Sequence, residues 1–270
     1  MAAKPTRIVT WNINSVRLRL PIVLQLIEDL NPDVVCLQEI KCMNDQFPAE
    51  ALAEAGFPHQ ALNGIKGLHG VATIAREPFL ATDIRSFCGK DDGRHVMTQL
   101  ADGTELHNFY IPAGGDVPDR EANDKFGHKL DFLDELTGWW ADRKAEPGLK
   151  AIKVGDLNIA PLETDVWSHK QLLKVVSHTP IEVDALNGSQ SALNWYDAVR
   201  HFIPPEEKLY TWWSYRAKDW SAADKGRRLD HIWVTPPLKD SLVAAGVHRE
   251  ARGWEKPSDH APVWIDLHLE

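Results

Sequence analysis

The sequence predicts an α/β domain in which mixed β-sheets are layered with helices. Short apolar runs rich in β-branched residues are separated by connections of both hairpin and helix length. That mixture fits layered mixed sheets better than the strict alternation of a dinucleotide-binding fold or a barrel. The glycine patterns GxGxxG and GxxxxGK[ST] do not occur. With 270 residues and no low-complexity linker or tandem repeat, the chain is expected to form one domain over residues 1–270.

Periodicity assigns the individual elements. Strands are predicted at residues 8–10, 34–37, 71–75, 96–100, 106–111, 151–154, 229–235 and 263–269. Helices are predicted at residues 21–30, 48–55, 123–143 and 189–202. The third helix carries an apolar stripe that is typical of a core-facing surface, formed by Phe126, Leu130, Leu133, Leu136 and Trp140.

The overall charge and its local distribution point in different directions. A formal net charge of −9 argues, taken alone, against a non-specific nucleic-acid binder. Residues 216–228, however, contain five basic residues against two acids, with Trp212, Trp213 and Trp220 in or beside them. This segment is either a nucleic-acid-facing surface or a solvated loop over buried aromatic rings, and composition leaves both interpretations open.

Cysteine usage and hydropathy indicate a cytoplasmic location. The three cysteines are odd in number and lack zinc-site spacing, so reduced thiols are expected. The chain has no run of the ~18 apolar residues that a membrane span needs, and residues 1–6 lack the apolar segment of a secretory signal. We therefore expect a cytoplasmic protein that does not contact membranes.

Polar side chains lie at the ends of the predicted strands. Five of these side chains follow a strand-like run. Asp230 precedes one further strand-like run, and the pair Asp259 and His260 precedes another. Because an antiparallel strand starts at the edge where its neighbour ends, one sheet edge is expected to gather all eight. The set consists of Asn12, Glu39, Tyr110, Asp156, Asn158, Asp230, Asp259 and His260.

This set suits phosphate chemistry around a hard cation. Glu39 and Asp259, with the amide oxygen of Asn12, would satisfy Mg²⁺, which prefers oxygen ligands. Asp156 could position or deprotonate a water, and Asn158 could donate to a phosphoryl oxygen. Taken singly, each residue also has a structural interpretation, such as a turn, a cap or a satisfied histidine. The joint placement at strand ends favours the functional interpretation.

Ordered motifs across nearly the whole chain resemble the exonuclease III family of apurinic/apyrimidinic endonucleases, of bacterial type, within the endonuclease/exonuclease/phosphatase superfamily. The motifs are WNINSVR at 11–17, LQEIK at 37–41, HGVA at 69–72, YIP at 110–112, GDLNIAP at 155–161, YTWWSYR at 210–216, RLD at 228–230 and SDHAPVW at 258–264. A lone GDxN or SDH would be weak evidence, whereas the ordered series is specific.

The resemblance implies a four-layered α/β sandwich of the DNase I-like type, with two mixed sheets face to face and helices outside. It implies a Mg²⁺-dependent phosphodiesterase, with Mn²⁺ as a possible substitute. Such enzymes cut double-stranded DNA on the 5′ side of abasic sites, trim blocked 3′ ends and can show 3′→5′ exonuclease activity. A monomer in the cytoplasm, associated with the bacterial nucleoid, is the corresponding expectation.

The resemblance also implies roles for individual residues. Glu39 is the central metal ligand, assisted by Asn12 and Asp259. Asp156 prepares the attacking water, and Asn158 binds the phosphate. His260, paired with Asp230, stabilises the pentacovalent phosphate, and Tyr110 contacts the scissile phosphate or the leaving group. Trp212 and Leu229 line the pocket for the flipped-out deoxyribose. The basic segment from Arg216 to Arg228 contacts the DNA backbone.

Three positions depart from the family pattern. Asn14 agrees with bacterial members, whereas animal members have Asp, which weakens the case for a second metal. Ala113 follows the YIP motif where relatives often have Asn or Gln. Residues 164–170 differ from both well-known branches and bear on pocket shape, and hence on the balance between abasic cleavage and 3′-end trimming.

Three other functions compete with abasic cleavage. One is an enzyme that is mainly a 3′-phosphodiesterase or 3′-phosphatase. Another is a superfamily phosphoesterase acting on phosphoinositide, sphingomyelin or RNA, which would not require Trp212 together with the RLD motif. The last is an inert binding module on the same fold, which should have lost at least one of Glu39, Asp156, Asp230 or His260, whereas all four are present.

Overall fold

Two six-stranded sheets packed face to face form the centre of the structure. It is a computed structural model and describes residues 4–146 and 148–269. The strands are β1 (Thr6–Asn12), β2 (Val34–Gln38), β3 (His59–Asn63), β4 (Val71–Ala75), β5 (Ala81–Asp83), β6 (His95–Gln99), β7 (Glu105–Tyr110), β8 (Ala151–Asp156), β9 (Tyr196–Asp197), β10 (Trp212–Trp213), β11 (Gly226–Arg227), β12 (Asp230–Val234), β13 (Leu242–Val247) and β14 (Val263–Leu267).

The helices are α1 (Val16–Leu30), α2 (Ala49–Glu54), α3 (Asp124–Arg143), α4 (His169–Leu172), α5 (Pro180–Ala192), α6 (Ala198–Phe202) and α7 (Trp220–Ala223). None of the helices in the described ranges is long and apolar enough to cross a membrane.

Both sheets are mixed, as predicted. The first sheet has the order β13-β14-β1-β2-β4-β3, and the second has the order β5-β6-β7-β8-β12-β9. The pairs β1–β2 and β7–β8 are parallel, whereas β1–β14 and β8–β12 are antiparallel. The carboxyl ends of β1, β2, β7 and β8 therefore meet the amino end of β12 at one edge of the sandwich.

The side chains form three apolar layers that separate four layers of secondary structure. One layer joins α1 and α2 to the first sheet, with Val23, Leu26 and Leu52 against it. The central layer lies between the sheets and joins Ile8 to residues such as Val154. The third layer joins the second sheet to α3 and α5. This is the predicted four-layered α/β sandwich, and the prediction is confirmed.

The predicted helices agree with the structure in three of four cases. The α3 helix begins one residue after its predicted start because the Asn123 side chain accepts a hydrogen bond from the Lys125 N–H as the N-cap. The helix predicted at 189–202 is wrong. A helix that starts at a Thr179–Glu182 capping box ends at Ala192. Asn194 then adopts a left-handed backbone with φ 54°, and the short helix α6 follows β9.

All eight predicted strands are present, and six further strands were not predicted. The missed strands are β3, β5, β9, β10, β11 and β13. The strands β9, β10 and β11 have two residues each, and β13 carries weakly β-forming Ala and Gly, so periodicity gives little signal in these four.

Candidate active site

A cavity of about 890 Å³ opens at the sheet edge where the predicted polar residues gather. Nine of the twelve predicted site residues line it, namely Glu39, Tyr110, Asp156, Asn158, Trp212, Arg216, Leu229, Asp259 and His260. Asn12 and Asp230 are fully buried beside this wall and hydrogen-bond to its residues. Arg228 lies elsewhere.

His260 sits between two carboxylates. Its Nδ1 lies 2.8 Å from Asp230 Oδ2, and its Nε2 lies 3.7 Å from Asp156 Oδ2. Burial alone would lower the pKa of this imidazole, but Asp230 and Asp156 outweigh burial and raise the pKa of His260 to about 10. The imidazole is therefore a cation at neutral pH, and the pairing with Asp230 that the resemblance implies is present.

Asp230 is held in place from behind. The Thr211 hydroxyl donates to Asp230 Oδ2 at 2.6 Å, and the Asp230 and Leu229 backbone N–H groups donate to the same hydroxyl oxygen. No sequence pattern singles out Thr211, because its role depends on which strands pair. A hydroxyl that donates to the carboxylate fixes which oxygen faces His260.

Asp156 lies at the junction of the two sheets. The amide nitrogen of Asn12, at the end of β1, donates to Asp156 Oδ2 at 2.8 Å and to Glu39 Oε1 at 2.9 Å. Burial raises the pKa of Asp156 to about 7, helped by the nearby charges of Asp230 and Glu39 and opposed by His260. This carboxyl group therefore holds a proton more readily than an ordinary aspartate does.

The Asn12 side chain is hydrogen-bonded through both its amide oxygen and its amide nitrogen. That oxygen accepts the Asn14 backbone N–H at 3.1 Å, while the amide nitrogen faces two carboxylates. The role of Asn12 as a metal ligand stays a prediction. In this structure Asn12 bridges Glu39 and Asp156, which holds the two carboxylates close together.

Glu39 and Asp259 form an oxygen-rich wall. Lys41 Nζ lies 2.8 Å from Glu39 Oε2 and donates to Asn14 Oδ1 at 2.6 Å. Burial opposes ionisation of Glu39, but hydrogen bonds from Asn12 and Lys41 outweigh it and hold the pKa of Glu39 below its usual value. Asp259 accepts hydrogen bonds from the Trp212 indole N–H at 2.9 Å and from the Asn14 amide at 3.3 Å.

The donor set fits a hard divalent cation. The groups around the cavity wall are carboxylate and amide oxygens with one imidazole, and none of the three cysteines lines the cavity. Asp156, Asp230 and His260 each have a potential ligand atom within 4.8 Å of the others, and with the imidazole protonated the carboxylates are the donors available to a cation. Burial is the main cause of the raised Asp156 pKa, and the charges of Asp230 and Glu39 add to it; a bound cation would offset both effects.

Asn158 is held in a left-handed backbone with φ 56°. Its backbone N–H donates to Asp156 Oδ1 at 2.9 Å, and one amide N–H donates to the Ile111 carbonyl at 2.9 Å. The buried Lys129 ammonium donates to the Asn158 carbonyl at 2.8 Å. One amide N–H of Asn158 is engaged with Ile111, and the second amide N–H is available as a donor at the cavity wall.

Tyr110 ends β7 directly beside Asp156, its register partner on β8. Burial raises the pKa of Tyr110 well above its ordinary value, and the charges of Glu39 and Asp156 act in the same direction. The phenol therefore keeps its proton and serves as a hydrogen-bond donor. Arg94, with its guanidinium 5.3 Å from the Tyr110 ring centroid, steadies the ring.

Gly155 allows this close approach of β7 and β8. A Cβ atom at this position would lie 1.9 Å from the Phe109 carbonyl oxygen, and the backbone has φ 134°. A glycine is therefore required beside the reactive carboxyl group.

The apolar side of the cavity contains Trp212 and Leu229, as expected, and adds Trp167. These rings and side chains pack with Val166, Leu172 and Val175 in one cluster. The unusual segment 164–170 therefore contributes directly to cavity shape through Trp167. The Lys225 ammonium lies 4.6 Å from the centroid of the Trp167 ring.

The expected contact of Arg228 with DNA is wrong. Arg228 is 1% exposed, and its guanidinium lies 2.5 Å from Asp197 and 3.7 Å from Asp165. It is a buried structural cation that ties residues 164–170 to β9. Arg216 is exposed at the cavity mouth, and Arg227, for which no separate role was predicted, reaches the cavity instead.

The fold and the site together define a phosphoesterase of the endonuclease/exonuclease/phosphatase family. The model of that family matches residues 9–260, and the chain belongs to it. Exodeoxyribonuclease III of Haemophilus influenzae is 29% identical, over 97% of this chain and 99% of that protein.

Two solved structures are similar to the chain over almost their whole length. An AP endonuclease from Archaeoglobus fulgidus is 30% identical with a TM-score of 0.89, over 98% of this chain and 100% of that one. A 3′ phosphatase from Neisseria, solved with a product DNA hairpin, is 30% identical with a TM-score of 0.89, over 97% and 99%. The chain is therefore an enzyme of the exodeoxyribonuclease III and AP endonuclease type.

Proposed function

We propose that this protein is a Mg²⁺-dependent DNA repair phosphodiesterase that cuts duplex DNA on the 5′ side of abasic sites and removes blocking groups from 3′ ends. The observation that carries the proposal is the cationic His260 between Asp156 and Asp230 on the wall of a cavity that also contains Trp212 and Leu229. A charged donor beside a proton acceptor suits hydrolysis of a phosphate ester, and the apolar wall suits a sugar without a base.

The reaction breaks the bond between phosphorus and the 3′ oxygen of DNA. Water forms a new bond to phosphorus and loses a proton, and the 3′ oxygen gains a proton, so the products are a 3′-hydroxyl and a phosphate monoester, or inorganic phosphate where the blocking group is a 3′-phosphate. Asp156, whose pKa is about 7, is the proposed acceptor of the water proton. His260 and the free amide N–H of Asn158 are the proposed donors to the phosphoryl oxygens.

Glu39 and Asp259 are the proposed ligands for the cation. Mg²⁺ bound there would offset negative charge on the phosphate and on the departing 3′ oxygen. Tyr110 keeps its proton, and it is the proposed hydrogen-bond donor to the scissile phosphate or to the departing 3′ oxygen. Arg216, exposed at the cavity mouth, is the proposed contact to the DNA backbone.

One side-by-side assay tests the proposal. The protein with Mg²⁺ is given a duplex with one internal abasic analogue and a second duplex with a 3′-phosphate. We expect the first duplex to be nicked, the second to be trimmed, and EDTA to stop both reactions. If neither is cut in Mg²⁺ or Mn²⁺, the proposed function is wrong.

An enzyme that mainly trims 3′ ends is the second candidate. The 3′ phosphatase from Neisseria matches this chain at the same TM-score and identity as the AP endonuclease. In the assay above, removal of the 3′-phosphate without nicking at the abasic analogue would select this candidate.

A further inference from the structure

Arg227 lies in the wall of the catalytic cavity, opposite Trp212 in the two-stranded β10–β11 ribbon. Its guanidinium lies 5.3 Å from the centroid of the Trp212 ring. Nη1 donates to the Val176 carbonyl at 3.1 Å and to Ser177 Oγ at 2.8 Å. These contacts fix the guanidinium in one place at the sugar side of the cavity.

The charge of Arg227 has no ion-pair partner among the described residues. The carboxylate whose charge acts on Arg227 is Glu182, which is itself paired with the buried Lys129 at 2.5 Å. Arg227 Nε is buried and has no hydrogen-bond partner in the described parts of the chain. Burial lowers the pKa of Arg227, and Glu182 only partly opposes this effect.

The neighbouring Arg228 is a structural arginine, and its surroundings differ from those of Arg227. Its guanidinium is buried against two carboxylates, Asp165 and Asp197. A partly buried cation without such partners is costly unless an anion binds to it. Arg227 faces a cavity that is open to ligands, so the missing anion can come from the substrate.

Trp212 lies between an acidic part of the cavity wall, at Asp259, and a basic part, at Arg227. Its indole N–H donates to Asp259 on the acidic side, and Arg227 lies over its ring. Ser177, the residue that holds Arg227, accepts the Ala160 N–H at its carbonyl, two residues beyond Asn158. Arg227 is thereby tied to the loop that presents the phosphate donor.

We propose that Arg227 forms an anion subsite for the group that leaves together with the scissile phosphate. This assignment rests on the proposed function. The ligand is an anionic oxygen group, since guanidinium binds carboxylate and phosphate through paired N–H donors. Its source is either the carboxylate of a 3′-phosphoglycolate end or the phosphate on the 3′ side of an abasic nucleotide.

The subsite does not change the chemistry of cleavage. At a 3′-phosphoglycolate end, water adds to phosphorus, the bond to the 3′ oxygen of DNA breaks, and that oxygen takes the proton. Phosphoglycolate leaves with its carboxylate intact. Arg227 touches only the part of the substrate that stays attached to the phosphate, away from phosphorus and the 3′ oxygen, so it is a specificity-determining residue rather than a catalytic one.

The test compares charged substrates with neutral partners of the same shape. One pair of duplexes ends in 3′-phosphoglycolate or in the corresponding 3′-phosphoglycolamide. The other pair carries an internal abasic analogue followed by a phosphate or by a methylphosphonate. The full-length protein is assayed as wild type, Arg227→Leu and Arg227→Lys, with kcat/KM measured on all four duplexes.

We expect Arg227→Leu to lower kcat/KM by about 10-fold or more on the charged member of at least one pair and by no more than about twofold on its neutral partner. Arg227→Lys should restore part of the preference, because it keeps the charge. A preference lost only in the glycolate pair identifies the carboxylate as the ligand, and one lost only in the other pair identifies the flanking phosphate.

Arg249→Leu is the matched control. Arg249 lies 5.4 Å from the centroid of the Trp213 ring, much as Arg227 lies over Trp212, but it is exposed and outside the cavity. This variant should leave every charged-to-neutral ratio unchanged. If Arg227→Leu melts early, Arg227→Gln supplies a neutral side chain that still donates to Ser177.

Equal losses on charged and neutral substrates in both pairs would overturn the subsite and make Arg227 a structural brace. This result differs from failure of the proposed function, in which the wild-type protein cuts none of the four duplexes. A wild-type enzyme with no charge preference in either pair would also overturn the subsite.

Discussion

Asp156 and Asp230 occupy directly opposed positions on the antiparallel strands β8 and β12. Two like charges at such positions repel each other, and both side chains are buried. His260 lies within reach of both and carries the compensating positive charge. The sheet register therefore brings two carboxylates together, and the charged His260 stabilises the pair.

Replacing Asp230 should lower the His260 pKa. His260 has a folded-state pKa of about 10, above its ordinary value of 6.5, so its charge contributes stability that is complete below pH 6.5 and is lost as pH rises through 10. We expect Asp230→Asn to shift the His260 titration to lower pH, as seen by NMR of the imidazole. The alkaline loss of activity should move in the same direction.

His268 provides the control for that titration. It is partly exposed and its side chain lies outside the cavity lining, so its resonances should be the same in both proteins. An unchanged His260 titration in Asp230→Asn would show that Asp156 alone sustains the charge.

Asp156→Asn should lower turnover by about 10²–10⁴-fold, the usual contribution of a positioned acid–base group. Asparagine keeps the size of the side chain but cannot accept the water proton. Single-turnover cleavage measures the first effect, and fluorescence anisotropy with the same abasic duplex measures DNA affinity, which should change little. Equal losses of turnover and affinity would contradict the proton-acceptor role.

The sequence locates most of this site because the strands carry a strong signal. Glu39 and Asp156 each follow a β-branched run that ends at a sheet edge, so their approach follows from topology. The partner of His260 does not follow in that way. Asp259 is adjacent in sequence, yet the register of β12 against β8 brings Asp230 to Nδ1.

Arg227 and Arg228 show why the rest was not predictable. Adjacent residues in an extended segment point to opposite sides, so one enters the cavity and the other enters the core. Only the pairing of β10 with β11 decides which is which. Composition counts both arginines alike, and the structure assigns them different surroundings.

The metal site is expected to stabilise the fold. Mg²⁺ bound at the proposed site would stabilise only the folded protein, so it should raise the free energy of unfolding by about 2.7 kcal/mol at roughly 100 times its Kd. Glu39→Gln should remove this gain, because it lacks the central carboxylate. Thermal melting with increasing Mg²⁺ and Mn²⁺ measures the effect without any DNA substrate.

The exposed Asp240→Asn serves as the charge-matched control and should keep the full gain. If Glu39→Gln gains as much stability from Mg²⁺ as the wild type does, the cation binds elsewhere.

Arg228 and Arg216 should give opposite phenotypes. Arg228→Met removes the ion-pair partner of the half-buried Asp197 and leaves the buried Asp165 with Arg200 alone, so the free energy of unfolding should fall by about 3 kcal/mol. Arg216→Ala should change the free energy of unfolding by no more than about 0.5 kcal/mol. It should weaken DNA binding and reduce the slope of log affinity against log salt concentration by about one. Urea denaturation and salt titrations of DNA affinity separate the two. A stable Arg228→Met protein with a reduced salt slope would reverse the assignment.

Gly155 should tolerate no side chain. An alanine Cβ would lie 1.9 Å from the Phe109 carbonyl oxygen on a backbone with φ 134°, so β7 and β8 would have to separate. We expect Gly155→Ala to lower the free energy of unfolding by at least about 3 kcal/mol in urea denaturation.

Gly138→Ala is the control, because Gly138 lies exposed within α3 and a Cβ added there would have no neighbour within 4 Å outside its own helix turn. That variant should gain about 0.5–1 kcal/mol from helix propensity. Similar stability of the two variants would show that the strand pair adapts, and that close contact at Gly155 is not what positions Asp156.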